Sequence, residues 1–499
     1  MKHFIGIDVG TSGLKSVLFD ERGQIERQAS ASYPLFTPHE NWAEQNPEHW
    51  FMAAVSTLKD LVKNLSFDVA DIASIGVSGQ MHGLVMLDRN YRPLYNSIIW
   101  CDNRAVTEAE QLNREFGSEH WLRLTGNRAL HNLTAAKLLW VKNNCPEIFA
   151  SCEHIFLPKD YVRFCLAGGL GNEISDASGT QLLDVNTGQW STEILNYFGL
   201  RKDVLGRVYQ SSEIVGFLRR DLALAIGLAP ETAVIGGGGD QAAAALGNGV
   251  YKPGSISCSL GTSGVIFAPT DRIQVDPQGR IQTFCHAVNQ TWQLMGVTQG
   301  CGLSMKWLKD LLYSDETEPY KIMEREVSFL NCKSEKLLFL PYLMGERTPH
   351  QDPNARGVFF GLDSLTDRAR LALAVMKGIT FSLREAYETV LQFVSRPDEL
   401  IVTGGGTNNA VWMQILTDVF GLPIKVSDST ESGALAMAIL GAVGTGCYRS
   451  ISEATALMID EGRTFIPENS GLYEEQFMLY KKLYRDLKNC FDEASVDFK

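Results

Sequence analysis

The sequence lacks the features that mark membrane-embedded, secreted and nucleic-acid-binding proteins. No apolar run approaches the ~18 residues that a membrane span requires, and the opening residues MKHFIGIDVG do not have the pattern of a signal peptide. Basic residues are outnumbered, since 45 Lys and Arg against 58 Asp and Glu give a net charge of −13. Nucleic-acid binders usually present a basic face. We therefore expect neither a membrane nor a nucleic acid as partner.

Cysteine is present but follows no pattern. The ten cysteines are scattered singly, without a CxxC pair. Zinc sites and disulfide frameworks use paired or closely spaced cysteines, so the scatter predicts free thiols in a reducing compartment. The expected location is the cytoplasm.

Length and composition indicate a folded protein with more than one domain. A chain of 499 residues is well beyond the roughly 250–300 residues at which a single hydrophobic core stops growing. Hydrophobic residues at 45% and charged residues at 21% are ordinary for a globular protein and exclude the disordered and fibrous classes.

The tetrapeptide GTSG occurs twice, at residues 10–13 and 261–264, each time between two strand-like runs. The first copy separates HFIGIDV from LKSVLFD, and the second separates SISCSL from VIFAP. Alternation of apolar and polar residues predicts an antiparallel hairpin at each copy. Glycines let the backbone approach a ligand closely, and Thr and Ser add hydroxyl donors, so such a turn can hold phosphate oxygens. A plain hairpin loop is the alternative for either copy taken alone.

The elements around the two turns follow the same order. After the first turn come a third strand, QIERQASASY, a helix capped by Asn46 with Pro47 at its first position, and the buried strand DIASIGVSG. After the second come the strand TWQLMGVTQG, a helix beginning near residue 368, and the strand ELIVT followed by the helix NAVWMQILTDVF. We predict two similar α/β domains, 1–247 and 248–499, joined by the connector GNGVYKPG and derived from a duplication.

Two further glycine-rich segments carry candidate functional groups. In IVTGGGTNN a strand leads through three glycines to a helix, a turn against which a nucleotide can lie, or a simple close contact between helix and strand. Its spacing matches neither GxGxxG nor the P-loop, which argues against a Rossmann dehydrogenase or a Walker NTPase. In GGGGDQAAAAL, Asp240 follows a strand with little bulk around it, so it can either meet a substrate or cap the helix.

A larger set of motifs resembles the FGGY family of carbohydrate kinases, most closely its xylulokinase members. The motifs run in family order from residue 4 to about residue 445: IGIDVGTSGLKSVLFD, SGQMHGLVMLD, IIWCDNR, TAAKLLWV, LPKDYVRF, SDASGTQLLDV, GGGGDQAAAALGNG, SLGTSGVIF, LPYLMGERTPH and TGGGTNNAVWMQILTDVFG. The resemblance implies two RNase H-like domains of the actin-like ATPase fold, closing on a cleft for a sugar, ATP and Mg²⁺. A homodimer is common in the family.

The resemblance also assigns nucleotide contacts. The two GTSG turns match the family's paired phosphate-binding hairpins, and TGGGTNN matches its adenosine-binding loop. Lys15 stands where relatives carry a basic residue near the phosphates, and Gly302 matches a weaker nucleotide position. The implied ATP-binding residues are Thr11, Ser12, Lys15, Gly261, Thr262, Gly302, Gly405 and Asn409.

Catalytic roles fall on two aspartates. Phosphoryl transfer needs a group that takes the acceptor's proton, and an unperturbed aspartate with a pKa of ~3.9 is ionised at neutral pH, so Asp240 is the expected general base. In the family the matching aspartate acts on the sugar's terminal hydroxyl. Asp8, at the end of the first strand, is expected to hold Mg²⁺ through water, in the manner usual for that ion. Ser259 stands at the place matching Asp8 before the second turn, so only the first turn is expected to work with the metal.

Sugar recognition is expected from the SGQMHG turn. The resemblance carries Met81 and His82 over as substrate-binding residues, although a histidine in such a turn is often structural. Gln80 and Asp102 are further expected contacts, and a salt bridge with Arg104 is the alternative for Asp102.

One residue departs from the xylulokinase pattern: Gln241 follows Asp240 where most of those enzymes have Asn. The longer amide either keeps a substrate contact in a shifted position or reshapes the pocket. The expected reaction is ATP-dependent phosphorylation of D-xylulose to D-xylulose 5-phosphate. The alternatives are a kinase for another ketose, pentitol or sugar acid, or a non-enzymatic actin-like or sugar-sensing protein.

Overall fold

The computed structural model describes residues 1–330, 335–427 and 429–495. Within them lie two seven-stranded mixed sheets, one in each half of the chain. The first contains His3–Val9, Gly13–Asp20, Ile25–Ser32, Ile72–Gly79, Ile214–Phe217, Ala233–Ile235 and Gly238–Gly239. The second contains Ile256–Leu260, Gly264–Thr270, Gln282–Cys285, Trp292–Thr298, Leu400–Thr403, Ile424–Val426 and Thr464–Phe465.

Short strand pairs extend the halves, and helices cover the sheets. The pairs are Glu44–Gln45 with Ser97–Ile98, Val85–Leu87 with His154–Phe156, Gly171–Glu173 with Arg207–Tyr209, Leu183–Asp184 with Gln189–Trp190, and Leu338–Leu340 with Val358–Phe360. The α-helices are Pro47–Val62, Val106–Phe116, Ser118–Thr125, Thr134–Asn144, Pro146–Ser151, Pro158–Ala167, Ile174–Ser178, Thr192–Phe198, Arg220–Ile226, Asp240–Gly247, Gly302–Leu312, Pro319–Ser328, Arg368–Val390, Ala410–Phe420, Ser432–Gly444, Ile451–Met458 and Glu474–Ala494. Val69–Asp71 and Gly405–Asn408 are 3-10 helices.

The two sheets share one topology, as the repeated order of elements predicts. In each sheet the first strand pairs antiparallel with the second, the second pairs antiparallel with a third, and the first pairs in parallel with a strand that arrives later in the chain. The later strand is Ile72–Gly79 in the first half and Leu400–Thr403 in the second. Local signals also act as predicted, since the Asn46 side chain accepts a hydrogen bond from the backbone N–H of Glu48 at the start of the helix Pro47–Val62.

The two GTSG hairpins differ in register despite their identical sequence. In the first, Val9 pairs with Leu14, which leaves residues 10–13 as the loop. In the second, Leu260 pairs with Gly264, so the loop is one residue shorter. The backbone N–H of Gly10 donates to the carbonyl of Gly13 at 3.0 Å and closes the longer loop.

A separate buried cluster joins the two halves. Residues 248–255 form no helix or strand, where the sequence predicts a connector. The helix Ser432–Gly444, however, lies late in the chain and packs against the first sheet and the helix Asp240–Gly247. Its apolar residues share this core with Phe4 and Ile235. The strand next to the catalytic candidate Asp240 is therefore supported by residues from both ends of the chain.

The described part of the chain shows no membrane-spanning helix, no disulfide and no metal-binding cluster. Among those residues no helix is both long and apolar enough to cross a bilayer. The nine cysteines described are free, and Cys332 lies outside the described residues. No group of three or more His, Cys, Asp or Glu side chains in the same residues is arranged to hold a metal ion.

Candidate active site

The first GTSG turn is held by polar side chains from distant parts of the first half. The Nε1–H of Trp100 donates to the Thr11 hydroxyl at 2.9 Å, and the Gln45 amide donates to the Thr11 carbonyl at 2.6 Å. The Gln80 side-chain amide N–H donates to the side-chain carbonyl oxygen of Gln45 at 2.8 Å. Ser12 stays exposed at the tip. This bracing fixes the turn and leaves its tip open to a ligand.

The second turn forms one wall of a large cavity. The cavity has a volume of about 930 Å³, and all of its lining residues come from the second half of the chain. Gly261, Thr262, Gly302, Gly405 and Asn409, which the sequence assigns to ATP, all line it. The remaining lining residues are Leu260, Leu303, Met305, Lys306, Glu318, Pro319, Tyr320, Lys321, Glu324, Gly406, Asn408 and Trp412. Apolar walls with a few polar groups suit a nucleoside.

Two glycines explain how this cavity forms. The backbone of Gly404 has a φ of 97°, and a Cβ there would lie 2.6 Å from the Leu260 carbonyl oxygen, so only glycine fits. A Cβ on Gly302 would lie 2.6 Å from the carbonyl oxygen of Gly261, to which the Gly302 N–H donates at 2.8 Å. Close backbone contact thus joins the second turn to its neighbours. Asn409 caps the next helix by accepting from the Trp412 N–H at 2.8 Å.

Asp8 and Asp240 lie at the carboxyl ends of strands in the first sheet, on either side of the strand Ile72–Gly79. The negative charge of Asp8 is one cause of the shifted pKa of Asp240. Burial, the largest cause, and the charge of Glu431 raise the pKa of Asp8, and the charge of Lys15 partly opposes them. The Lys15 ammonium is not free, because it forms a 2.7 Å ion pair with Glu431. Its contact with phosphates stays a prediction.

The ionisation expected for Asp240 is wrong. The sequence predicts an ordinary aspartate, but burial first and the charge of Asp8 second raise the pKa of Asp240 to about 7, despite hydrogen bonds from the backbone and side chain of Gln241. The capping alternative is also wrong, since Gly239 is the N-cap and Asp240 is the first helical residue. A carboxylate with a pKa near neutrality is well matched to accept a proton in a reaction at pH 7.

The raised pKa predicts how stability depends on pH. Folded Asp240 keeps its proton up to about pH 7, whereas an unfolded aspartate loses it near pH ~4, so this group's contribution to stability falls as pH rises between these values. Asp240→Asn should therefore raise Tm by roughly 1–4 °C at pH 8 and leave it nearly unchanged at pH 4.5. Scanning calorimetry in metal-free buffer measures this difference.

An exposed aspartate provides the control for this measurement. Asp221 is ion-paired with Arg219, which lowers its pKa, so Asp221→Asn should not raise Tm at pH 8. An equal change in Tm at both pH values for Asp240→Asn would contradict the raised pKa.

The SGQMHG turn lies beside Asp240. A Cβ on Gly239 would be 2.9 Å from the sulfur of Met81, so Met81 packs directly against the residue that precedes Asp240. Gly239 is itself anchored, because its N–H donates to the Ser175 hydroxyl at 2.9 Å. Gln80 is buried and bonded to Gln45, so it connects this turn to the first GTSG turn. Residues about 160 positions apart in the chain thus meet at one place.

His82 has the backbone and protonation state of a functional residue. Its φ of 67° lies in the left-handed region that few non-glycine residues adopt. Burial first and the charge of Lys137 second lower the pKa of His82 to about 3, so the ring is neutral. With Nδ1 donating to the Gly179 carbonyl at 3.2 Å, Nε2 is left to accept a hydrogen bond from a hydroxyl.

Asp102 forms the salt bridge with Arg104 that the sequence analysis gave as the alternative to a substrate contact. Its fully buried carboxylate forms a salt bridge with Arg104 at 2.7 Å and accepts from the Ala43 N–H at 2.6 Å. Arg104 also pairs with Glu44. These bonds occupy the Asp102 oxygens, so its expected contact with a substrate is replaced by a role in positioning the neighbouring loop.

Two residues near the site were missed by sequence reasoning. Arg347 and Asp176 lie in the motifs LPYLMGERTPH and SDASGTQLLDV, but neither motif showed what its charged residue meets. Both oxygens of the fully buried Asp176 carboxyl lack a hydrogen-bond partner in the part of the chain described. Burial raises the pKa of Asp176 well above its ordinary value, and the charge of Asp240 is one of the smaller causes in the same direction.

The site suits a magnesium ion that is bound partly by the phosphates of a substrate better than a magnesium ion held by protein side chains alone. Mg²⁺ typically binds through one or two carboxylates together with waters and phosphates. Asp8 and Asp240 place two carboxyl groups at this edge of the first sheet, which is as many as Mg²⁺ needs when phosphates and waters supply its other ligands. These residues therefore fit the ion.

Comparison with known proteins gives the same pattern over nearly the whole chain. The model of the N-terminal domain of the FGGY family of carbohydrate kinases matches residues 3–247, and that of the C-terminal domain matches residues 256–445. The xylulose kinase of Bacillus subtilis is 36% identical over 491 residues, which cover 98% of each chain.

A solved structure and a relative with a different name also match the chain over nearly its whole length. The crystal structure of a xyloylose kinase from Brucella ovis is 34% identical and superimposes with a TM-score of 0.91 over 98% of this chain and 100% of that one. The gluconokinase of Bacillus subtilis is 30% identical over 504 residues, covering 99% of this chain and 98% of its own.

Proposed function

This chain belongs to the FGGY family of carbohydrate kinases, and from that premise we propose that it phosphorylates D-xylulose at the terminal hydroxyl, using ATP. It is a sugar kinase with two RNase H-like domains of the actin-like ATPase fold. The products are D-xylulose 5-phosphate and ADP. The observation that carries the proposal is the adjacency of Asp240, with a pKa of about 7, to Met81 in the sugar turn. The predicted domain division, cytoplasmic location and homodimer stay predictions.

The nucleotide is proposed to bind along the second half. Its base and ribose would lie in the cavity between the second GTSG turn and Asn409, and its phosphates would extend toward Asp8. Thr262 and Gly405 would contact the nucleotide there, and Thr11 and Ser12 would meet the phosphates from the first half. When bound, Mg²⁺ near Asp8 would neutralise charge on the phosphates.

Asp240 then has one task in the transfer. The sugar's terminal hydroxyl gives its proton to the Asp240 carboxylate as its oxygen forms a bond to the γ-phosphorus, while the bond from that phosphorus to the bridging oxygen of ADP breaks. His82 accepts from a second hydroxyl and holds the sugar in line. Gln241 contacts Asp240, so its longer amide acts on the base.

The relatives support D-xylulose over the other candidate sugars. One experiment tests which sugar is the substrate. Purified enzyme with MgATP is assayed for ADP release over a panel of ketoses, pentitols and sugar acids, and the product's phosphorylated carbon is identified by NMR. D-xylulose should give the highest kcat/KM, by about tenfold or more over its competitors. ADP release with D-gluconate or a pentitol, and none above background with D-xylulose, would refute the assignment.

A non-enzymatic role is the second class of function. A catalytically silent sugar sensor would be expected to have lost Asp8 or Asp240, and this chain has both. Nucleotide-dependent sedimentation without sugar-dependent ADP release would favour a filament.

A further inference from the structure

Arg347 is carried by a rigid loop of the second half. Glu346 and Asp352 form two backbone hydrogen bonds of 2.8 Å with each other across the loop. The buried Glu346 carboxylate accepts from the Gln299 N–H and the Ser382 hydroxyl at 2.8 and 3.0 Å. Thr348 bonds to the backbone of Val297 in the second sheet. The backbone on both sides of Arg347 is therefore fixed.

The Arg347 guanidinium has no partner among the described residues. Within residues 1–330, 335–427 and 429–495 its guanidinium makes no hydrogen bond or ion pair, although it carries five donors. The side chain is exposed, yet desolvation lowers its pKa. A group surrounded by protein but still open to solvent is typical of the wall of a binding cleft.

The Arg347 loop lies beside the strand that meets the first half, because the hydroxyl of the adjacent Thr348 donates to the Arg280 carbonyl at 2.7 Å, just before the strand Gln282–Cys285. The charge of Arg347 lowers the pKa of both His82 and His131, which belong to the first half. The charged group that acts on Asp240 is instead Asp8. Together with the contact of Thr348, this places Arg347 on the His82 side of the site.

The two halves already touch at this end. The ring of Phe284 lies 5.6 Å from that of His82, measured between centroids. The Asn127 amide donates to the Thr283 carbonyl at 2.7 Å, and the Thr283 N–H donates back to Asn127 at 3.1 Å. A sugar between His82 and Asp240 therefore has the second half beside it.

We propose that Arg347 is a sugar-binding residue contributed by the second half, which donates hydrogen bonds to substrate oxygens at the end remote from Asp240. The inference rests on the proposed function and adds a residue to its sugar site. A fork of N–H donors matches hydroxyl or carbonyl oxygens of a neutral sugar. It also pairs with a carboxylate, so sugar acids are expected to bind at the same end.

The test compares Arg347→Gln and Arg347→Lys with the wild type, using the best sugar found in the panel. Loss of hydrogen bonds to a charged donor should raise KM for the sugar about 10- to 100-fold in Arg347→Gln. KM for ATP and Tm should stay within about twofold and 1 °C of wild type, since the cation is exposed and unpaired. Arg347→Lys keeps the charge without the fork and should lie between the two.

Arg356→Gln is the matched control, because Arg356 is also exposed on this loop region but donates to the local carbonyls of Pro353 and Ala355. Its kinetics should resemble those of the wild type. A sugar KM within twofold of wild type in Arg347→Gln would overturn the proposal, as would a rise confined to the KM for ATP or a parallel change in both KM values and Tm. Absence of sugar-dependent ADP release from the wild type would instead refute the proposed function.

Discussion

Asp240→Asn is expected to reduce kcat by about 10²- to 10⁴-fold, the range for loss of a general base. The amide has nearly the same size but cannot take the proton of the attacking hydroxyl. Wild-type kcat/KM should rise with pH up to about 7, the pKa of Asp240, and this limb should be absent from the residual activity of the variant. Steady-state kinetics from pH 5.5 to 8.5 measure both effects.

The nucleotide provides the control for this variant. The cavity assigned to ATP is lined only by residues of the second half. Affinity for ADP, measured by titration calorimetry, should therefore stay within about threefold of wild type, as expected for a site without a lost contact. Retention of more than about a tenth of wild-type kcat would show that Asp240 is not the base, because a general base contributes far more.

Asp8→Asn is expected to lower turnover by about 10²-fold or more at millimolar Mg²⁺, because charge stabilisation by a bound metal is worth several kcal/mol. The activity should also need a higher Mg²⁺ concentration for half-saturation. Since the charge of Asp8 raises the pKa of Asp240, the acidic limb of the residual activity should move to lower pH. Measuring rate against both Mg²⁺ and pH separates the two effects.

Ser259→Ala is the matched variant for the second turn. Ser259 stands two residues before Gly261, as Asp8 does before Gly10, but it carries no charge. Its removal should change kcat by less than about fivefold, the size expected from one neutral hydrogen bond. Equal losses in the two variants, or an unchanged Mg²⁺ dependence in Asp8→Asn, would contradict the asymmetry between the turns.

Several parts of the site were predictable from sequence because they depend on neighbours in the chain. The alternation in HFIGIDV and LKSVLFD gave the first hairpin, and Asn46 marked the start of its helix. The second turn and the glycine-rich loop after the strand Leu400–Thr403 were assigned to one nucleotide, and Gly261, Thr262, Gly405 and Gly406 do line one cavity. The motif order was enough to identify the family.

Other parts of the site depend on residues that are far apart in the sequence but in contact in the folded chain. The ion pair of Lys15 joins residues 416 positions apart, and no local pattern indicates Glu431 as its partner. The register of the two hairpins differs although both turns read GTSG, because the surrounding strands set the pairing. Arg347 looked like any surface cation in the sequence, and its place near His82 follows from the contact between the halves.

The sequence by itself determined the fold class, the reaction class and the residue types in the site, since these follow from periodicity, turn composition and motif order. The tertiary structure decided the ionisation of Asp240, the salt bridge of Asp102 and the surroundings of Arg347. The physical reason is that desolvation and Coulomb interactions depend on which atoms surround a group in space. An aspartate in GGGGDQ has an ordinary pKa until burial and Asp8 raise it to about 7.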